Sequence, residues 1–223
     1  PLFAAVVTWP VAGRWDLFLE NTQFPLGLVA TQGVHYNEYL QIYRLIRVGE
    51  KLTIKSSLVA IQTHPAGTLI THEYRAIDTT EKPVFKEFIG ILVSGVHSEG
   101  EDRGMGDLPV YPRCPTFTSP KEQYSVKISS VLPYIYDGCT NIVFPIHTSV
   151  RSAHNVGLPN IIVQGSATLG IAIKTLVEHE MNHDPHRVSV ISGQFSAPVL
   201  PDSQIQVQLN EKITKADFTE LYF

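Results

Sequence analysis

The first half of the chain alternates apolar and polar positions in runs that predict β-strands. The runs richest in β-branched and aromatic residues lie at residues 35–46, 51–61, 68–77 and 84–96. Segments containing Gly, Pro or Asp separate them at residues 48–50, 64–67 and 78–83. Within residues 69–74 the alternation is regular, so one face of that strand is expected to be buried and the other to be wetter. The pattern predicts an antiparallel sheet.

The second half has a different pattern. Residues 97–120 hold Gly, Pro and charged residues without periodicity, which predicts a linker or a long surface connection. Beyond it we predict strands at residues 123–131, 187–197 and 204–213, a short polar helix at 148–155 and a turn at 198–202. Residues 165–183 have apolar side chains on most faces, which is typical of a helix that is buried on most sides.

One segment is similar in the two halves. Residues 43–52 and 195–205 each combine a strand, a tight turn with a small or acidic residue, and another strand, which favours an internal duplication. We therefore predict an N-terminal half at residues 1–97, a linker at 98–121, and a C-terminal half at 122–223 that carries the active site. Only the second half shows a long helix, so the helix of the first half is expected to precede Pro1.

Composition narrows the class of protein. Hydrophobic residues occupy 43% of the 223 positions and charged residues 17%, so a folded protein is expected. A net charge of -4 without a basic run argues against a nucleic-acid partner. Cys114 and Cys139 form neither a disulfide framework nor a metal motif, so a reducing, cytoplasmic location is predicted. No apolar run approaches the ~20 residues of a membrane span.

Candidate chemistry lies between residues 133 and 166. The run Phe144-Pro145-Ile146-His147 places an imidazole, which titrates near neutral pH, just before the polar helix. The long helix starts at Gly165 and Ser166, and the first amides of a helix are unpaired and lie at the positive end of its dipole. A proton-transferring histidine and amides that stabilise an oxyanion suit a substrate with an activated carbonyl group.

This region resembles the MaoC-like family of R-specific enoyl-thioester hydratases and dehydratases. Pro145-Ile146-His147 matches the family's Pro-Ile-His, Gly157-Leu158 its Gly-Phe, and residues 162–165 its Ile-x-His-Gly at the start of the central helix. Residues 194–199 are similar to the family's later Arg-Phe-x-x-Pro-Val strand. The resemblance implies an α+β double hotdog fold, with two antiparallel sheets forming a continuous sheet and a long central helix in the C-terminal half.

The chain departs from the family at the catalytic acid. Ile142 stands where the family has its aspartate, and Gln164 stands where it has a second histidine. In the family the aspartate and the histidine activate a water molecule, so His147 needs a different acidic partner. Asp137 is the nearest acid before His147 and is our candidate replacement. The alternative is that Asp137 and Gly138 only form a turn.

Other polar residues near this segment are candidates for substrate binding. We expect Gln164, Asn141 and Tyr136 to hydrogen-bond a substrate carbonyl beside the oxyanion amides of Gly165 and Ser166. Two alternatives stay open: Gln164 as a structural amide and Tyr136 as a half-buried packing residue.

A metal site is a weaker alternative. His179 and His183 are one helical turn apart in the predicted helix, with acidic residues nearby. Charged residues at the end of an exposed helix usually meet solvent, so we predict no metal site. Since no phosphate loop or redox motif is present either, no cofactor is predicted.

The resemblance implies a hydro-lyase, a dehydratase or hydratase, acting on a β-hydroxyacyl or enoyl substrate. The expected partner is a small acyl or polyketide-like molecule, carried as a CoA or carrier-protein thioester, and the family also implies a homodimer. Two alternatives remain. An apolar site with Ile142 and Phe144 favours a repurposed enzyme that isomerises or cyclises a hydrophobic biosynthetic intermediate. A chain without catalysis would be an acyl- or lipid-binding subunit.

Overall fold

The computed structural model describes residues 2–19, 26–112 and 115–223. The helices are α1 (Phe3–Ala12), α2 (Trp15–Leu19), α3 (Leu26–Gln32), α4 (Leu132–Thr140), α5 (Pro145–Thr148), α6 (Val150–Asn155) and α7 (Gly165–Glu180). The strands are β1 (Gly33–Ile42), β2 (Leu52–His64), β3 (Gly67–Asp78), β4 (Pro83–Ser94), β5 (Glu122–Ile128), β6 (Val190–Gln194), β7 (Ser203–Leu209), β8 (Glu211–Thr214) and β9 (Thr219–Tyr222). Short 3₁₀ helices lie at Met105–Asp107 and Pro185–Arg187.

The contacts of the chain divide it into two compact units. Unit 1 comprises Pro1–Tyr111, Thr140–Ile142 and Pro185–Ala197. Unit 2 comprises Pro112–Cys139, Val143–Asp184 and Pro198–Phe223. Residues 185–197 belong with unit 1 because β6 pairs with β1. The sequence-based division at residues 97 and 122 stays a prediction.

Unit 1 is built on an antiparallel sheet whose described strands follow the order β2-β3-β4-β1-β6. Glu87 of β4 lies opposite Leu40 of β1 and Tyr74 of β3, and directly opposed residues point to the same face. The turn between β3 and β4 is held by Asp78, whose Oδ1 accepts from Thr80 N, Thr80 Oγ1 and Lys82 N. The four strands predicted in this half are confirmed, with ends shifted by a few residues. The wetter face predicted for residues 69–74 was wrong, because all six residues are buried.

Helix α1 packs against the sheet of unit 1. Ala4, Ala5, Thr8 and Ala12 are buried, and α1 contacts β2. The sequence patterns did not predict this helix and placed the helix of the first half before Pro1. Val6, Val7 and Pro10 are poor helix formers, so α1 depends on burial of its small side chains more than on local propensity.

The predicted linker is partly ordered against unit 1. Arg103 and Ile61 exchange backbone hydrogen bonds of 2.9 and 3.1 Å, and Asp102 accepts from the backbone N–H of Thr63. A segment that was expected to be only a connection therefore adds a bridge to β2. Cys114 lies outside the described residues.

Unit 2 packs α7 against short antiparallel strands. β5 pairs with β7, and β8 pairs with β9. One apolar cluster joins Ile128, Val163 and Ala167, and another joins Leu176, Val207 and Leu209. The long buried helix predicted at residues 165–183 is confirmed, although it ends at Glu180. In the described part of the chain, no helix has both the length and the apolar character that crossing a membrane requires.

Some predicted elements of unit 2 were wrong. Residues 204–213 are not one strand, because the chain passes from β7 to β8 at Asn210. The turn alternative for Asp137 and Gly138 is also wrong, since both lie inside α4. Pro133 is tolerated in the first turn of this helix, but the Tyr, Ile and Gly residues that follow have low helix propensity. The local sequence pattern therefore did not predict α4.

Candidate active site

His147 is the last but one residue of the short helix α5. Pro145 occupies the first turn of α5, where its missing N–H leaves no hydrogen bond unmade. A backbone hydrogen bond from Ile162 N to Ile146 O, 3.3 Å long, holds residue 162 beside this helix. The imidazole is buried, and its Nδ1 lies 2.9 Å from Ile162 O. Because a carbonyl only accepts, Nδ1 carries the proton and Nε2 keeps its lone pair.

Gln164 joins the start of α7 to helix α4. Its side chain is 1% exposed, and Nε2 donates to Asp137 Oδ1 at 2.5 Å and to Pro133 O at 3.0 Å. Asp137 is 8% exposed on the same helix as Pro133, one turn further on. The amide thus brings a carboxyl group from α4 to the N-terminus of α7.

Asp137 and His147 perturb each other electrostatically. Burial raises the pKa of Asp137, while the hydrogen bond from Gln164 and the charge of His147 oppose that rise. Burial lowers the pKa of His147, while the carbonyl of Ile162 and the charge of Asp137 oppose that fall. Both shifts favour the neutral acid and the neutral imidazole, which suits a pair that exchanges protons with a substrate.

The N-terminus of α7 supplies hydrogen-bond donors to the same region. The side chain of its N-cap residue, Gln164, makes no capping hydrogen bond. The first amides of a helix, here those of Gly165 and Ser166, have no intrahelical acceptor and lie at the positive end of the dipole. The Tyr136 hydroxyl donates to Ser166 Oγ at 3.0 Å. The oxyanion and binding roles of these residues stay predictions.

The remaining sequence candidates occupy different settings. Asn141 is exposed, with a left-handed backbone φ of 57°, and Ile142 is buried; both belong to unit 1. Within unit 2, the Phe144 ring lies edge-on to the His147 ring, with centroids 6.4 Å apart. The proposed binding role of Asn141 stays a prediction.

The helical spacing on which the metal alternative depended is not formed. Helix α7 ends at Glu180, and His183 follows it with a left-handed backbone. His179 instead stacks on Tyr124 at 4.2 Å. Within residues 2–19, 26–112 and 115–223, no group of three or more His, Cys, Asp or Glu side chains is arranged to hold a metal ion.

Sequence reasoning missed two backbone groups in this site. The carbonyl of Ile162 sets the tautomer of His147, and the carbonyl of Pro133 holds Gln164. Side-chain patterns carry no signal for either carbonyl, because every residue has one. The contact between Gln164 and Pro133 could have been predicted only if α4, which carries both Pro133 and Asp137, had been predicted first.

Comparison with known proteins found similarity to one family model and to several proteins. Residues 116–221 match the family model described as MaoC like domain. A probable enoyl-CoA hydratase 2 of Dictyostelium discoideum is 24% identical over 177 residues, which cover 79% of this chain and 60% of that protein. The chain thus spans about three fifths of that relative's length.

Solved structures with the same fold include a MaoC-like dehydratase from Phytophthora capsici. It superposes with a TM-score of 0.73 at 24% identity, covering 81% of this chain and 62% of that one. A Mycobacterium tuberculosis protein with a double hotdog fold superposes with a TM-score of 0.56 at 16% identity, covering 88% of this chain and 69% of that one. The predicted double hotdog fold of the α+β class, with a long helix in the C-terminal half, is confirmed. The predicted continuous sheet is not: the described strands pair as one five-stranded and two two-stranded sheets.

Proposed function

We propose that this chain, whose residues 116–221 match the family model described as MaoC like domain, is a hydro-lyase acting on enoyl or β-hydroxyacyl thioesters. Similarity to proteins named enoyl-CoA hydratase 2 and MaoC-like dehydratase supports this class of reaction. The observation that carries the proposal is that Gln164 holds the buried Asp137 carboxyl at 2.5 Å, where its charge acts on the pKa of the buried His147 imidazole. A carboxyl from α4 supplies the acid that Ile142 cannot provide.

The pair works by holding one proton. In hydration, His147 Nε2 takes a proton from the water molecule as the water oxygen bonds to Cβ. The electron pair of the double bond moves toward the thioester carbonyl, and the resulting enolate oxygen lies at the amides of Gly165 and Ser166. Asp137 then gives its proton to Cα, which leaves an Asp137 carboxylate and a His147 imidazolium. Dehydration is the reverse, and each direction begins with the proton distribution that the other produces.

An assay of crotonyl-CoA hydration tests this function. We expect Asp137→Asn and His147→Ala each to lower kcat by roughly 10²–10⁴-fold, which is the usual contribution of a general acid or base. Asp202→Asn is the matched control, because Asp202 is exposed in a turn of unit 2. An active wild type that is unaffected by Asp137→Asn would show that Asp137 is not the acid.

The pH profile separates the two groups. Only the one-proton state of the pair is active, so the rate is expected to fall on both sides of an optimum. Asp137→Asn leaves His147 as the single titrating member of the pair. The residual activity of that variant should therefore fall on only one side of its pH profile. A product formed without gain or loss of water would instead support the isomerase alternative.

Three finer expectations from the sequence belong to the same proposal. The acyl group is carried by CoA or by a carrier protein, the protein is a homodimer, and it acts in the cytoplasm. Turnover with each thioester, sedimentation of the purified chain and localisation of a tagged chain would test them in turn.

A further inference from the structure

Gln164 uses only half of its hydrogen-bonding capacity within the protein. Both partners of Nε2, the carbonyl of Pro133 and the carboxyl of Asp137, are acceptors, so the amide cannot be turned around. This orientation leaves Oε1 buried, and no donor among the described residues reaches it. An acceptor in that position is costly unless a bound group satisfies it.

The position of this acceptor indicates which group it receives. Oε1 belongs to the residue that immediately precedes Gly165 and whose amide nitrogen contacts the Asp137 carboxyl. The His147 imidazole lies in electrostatic range of that same carboxyl. A group that reaches Oε1 therefore lies beside the acid–base pair and must itself be a donor.

We propose that Gln164 is a positioning residue that holds the Asp137 carboxyl with Nε2 and the reacting O–H group with Oε1. The O–H group is the water molecule in hydration and the β-hydroxyl group in dehydration. This inference rests on the proposed function, and it adds a residue that does not titrate to the acid–base pair.

The assignment gives each atom one task. Asp137 Oδ1 accepts from Gln164, which leaves Oδ2 to carry the proton that goes to Cα. The water donates one hydrogen to Gln164 Oε1 and the other to His147 Nε2, so its lone pair is directed at Cβ. As the O–Cβ bond forms, the water O–H bond that faces His147 breaks and its proton moves to Nε2. The proton on Asp137 Oδ2 moves to Cα and forms the Cα–H bond. The hydrogen held by Gln164 stays on the product hydroxyl.

The test compares Gln164→Met, Gln164→Glu and the control Gln208→Met, which changes an exposed glutamine of β7. Methionine keeps the length of the side chain but neither hydrogen bond. In crotonyl-CoA hydration we expect Gln164→Met to lower kcat about 10²-fold, as for a misplaced water molecule, with little change in the KM for crotonyl-CoA, which has no hydroxyl group for Gln164 to hold. Because the Gln164 hydrogen bond lowers the pKa of Asp137, its loss should move the Asp137 limb of the pH profile to higher pH.

Gln164→Glu keeps an acceptor but places a second carboxyl beside Asp137, so it should move that limb higher still. Wild-type kcat together with an unshifted limb in Gln164→Met would overturn the proposal. If Gln164→Met does not fold, the same criteria apply to Gln164→Glu.

Two measurements without turnover separate this inference from the proposed function. The pKa of Asp137, measured by a ¹³C-carboxyl NMR titration, should be higher in Gln164→Met than in the wild type even if no thioester is converted. An unchanged pKa overturns the anchoring of the carboxyl by Nε2. Binding of 3-hydroxybutyryl-CoA, measured by calorimetry, should weaken about tenfold in Gln164→Met, which corresponds to one lost hydrogen bond. Equal affinity overturns the role of Oε1.

Discussion

A pair of buried glutamates makes the stability of unit 1 depend on pH. Glu38 of β1 and Glu87 of β4 are both 0% exposed, and the carboxyl groups interact with each other. Burial and the neighbouring Glu87 raise the pKa of Glu38 well above its usual range, and burial raises the pKa of Glu87 to about 7. Thr8 of α1 contacts Glu87, and Tyr74 of β3 lies opposite it.

The change to test is Glu87→Gln, which keeps the shape of the protonated acid but cannot ionise. In the unfolded chain Glu87 loses its proton near pH 4.5, whereas in the folded chain it keeps the proton up to about pH 7. The contribution of Glu87 to stability is therefore complete below pH 4.5 and declines as the pH rises through 7. The rise of the Glu87 pKa from 4.5 to about 7 therefore lowers the free energy of unfolding at high pH by about 3 kcal/mol.

Urea unfolding between pH 4.5 and 8.5 measures this effect, followed by the fluorescence of Trp9 and Trp15, which both belong to unit 1. The free energy of unfolding of Glu87→Gln should equal that of the wild type near pH 4.5 and exceed it by about 3 kcal/mol above pH 7. His35 and His72 also titrate, because burial lowers the pKa of each to about 4.

The two histidines act in the opposite direction from the glutamates. They favour the folded state more as the pH rises from 4 to 6.5. His35 Nε2 lies 3.6 Å from Glu38 Oε2, so the difference between the two proteins reports the glutamate pair together with His35 below pH 6.5, and the glutamate pair above it. Glu101→Gln, at an exposed position, is the control. Parallel pH curves for wild type and Glu87→Gln would refute the reasoning.

Two further stability predictions follow from packing. Gly104 has a φ of 78°, and a Cβ there would overlap Val59 O, so Gly104→Ala should lower the free energy of unfolding by about 1–3 kcal/mol. The control Gly106→Ala, where a Cβ meets open space, should change it by no more than about 0.5 kcal/mol. Ile128 is 1% exposed in the core of unit 2, so Ile128→Ala should cost about 2–5 kcal/mol. Thermal or urea unfolding checks each, and a tolerated Gly104→Ala or Ile128→Ala would contradict the packing described.

The sequence by itself determined the elements whose side chains follow a local period. Alternating residues predicted β1 to β4, and the apolar run from Gly165 predicted α7, because a strand or a helix exposes its faces at fixed spacings along the chain. The double hotdog fold was predicted from the resemblance around His147 and Gly165. That resemblance could be recognised because these residues lie within one continuous segment of the sequence.

Tertiary structure decided what lies between such segments. Helix α4 forms although its Tyr, Ile and Gly residues have low helix propensity, and it brings Asp137 to Gln164, 27 positions away. The burial of Glu38 and Glu87 depends likewise on strand pairing and on α1 packing against the sheet. A local pattern cannot predict these contacts, because packing between distant segments and backbone carbonyls determines them. The proposed replacement for the acid expected at Ile142, Asp137 of α4, could therefore be located only from the folded structure.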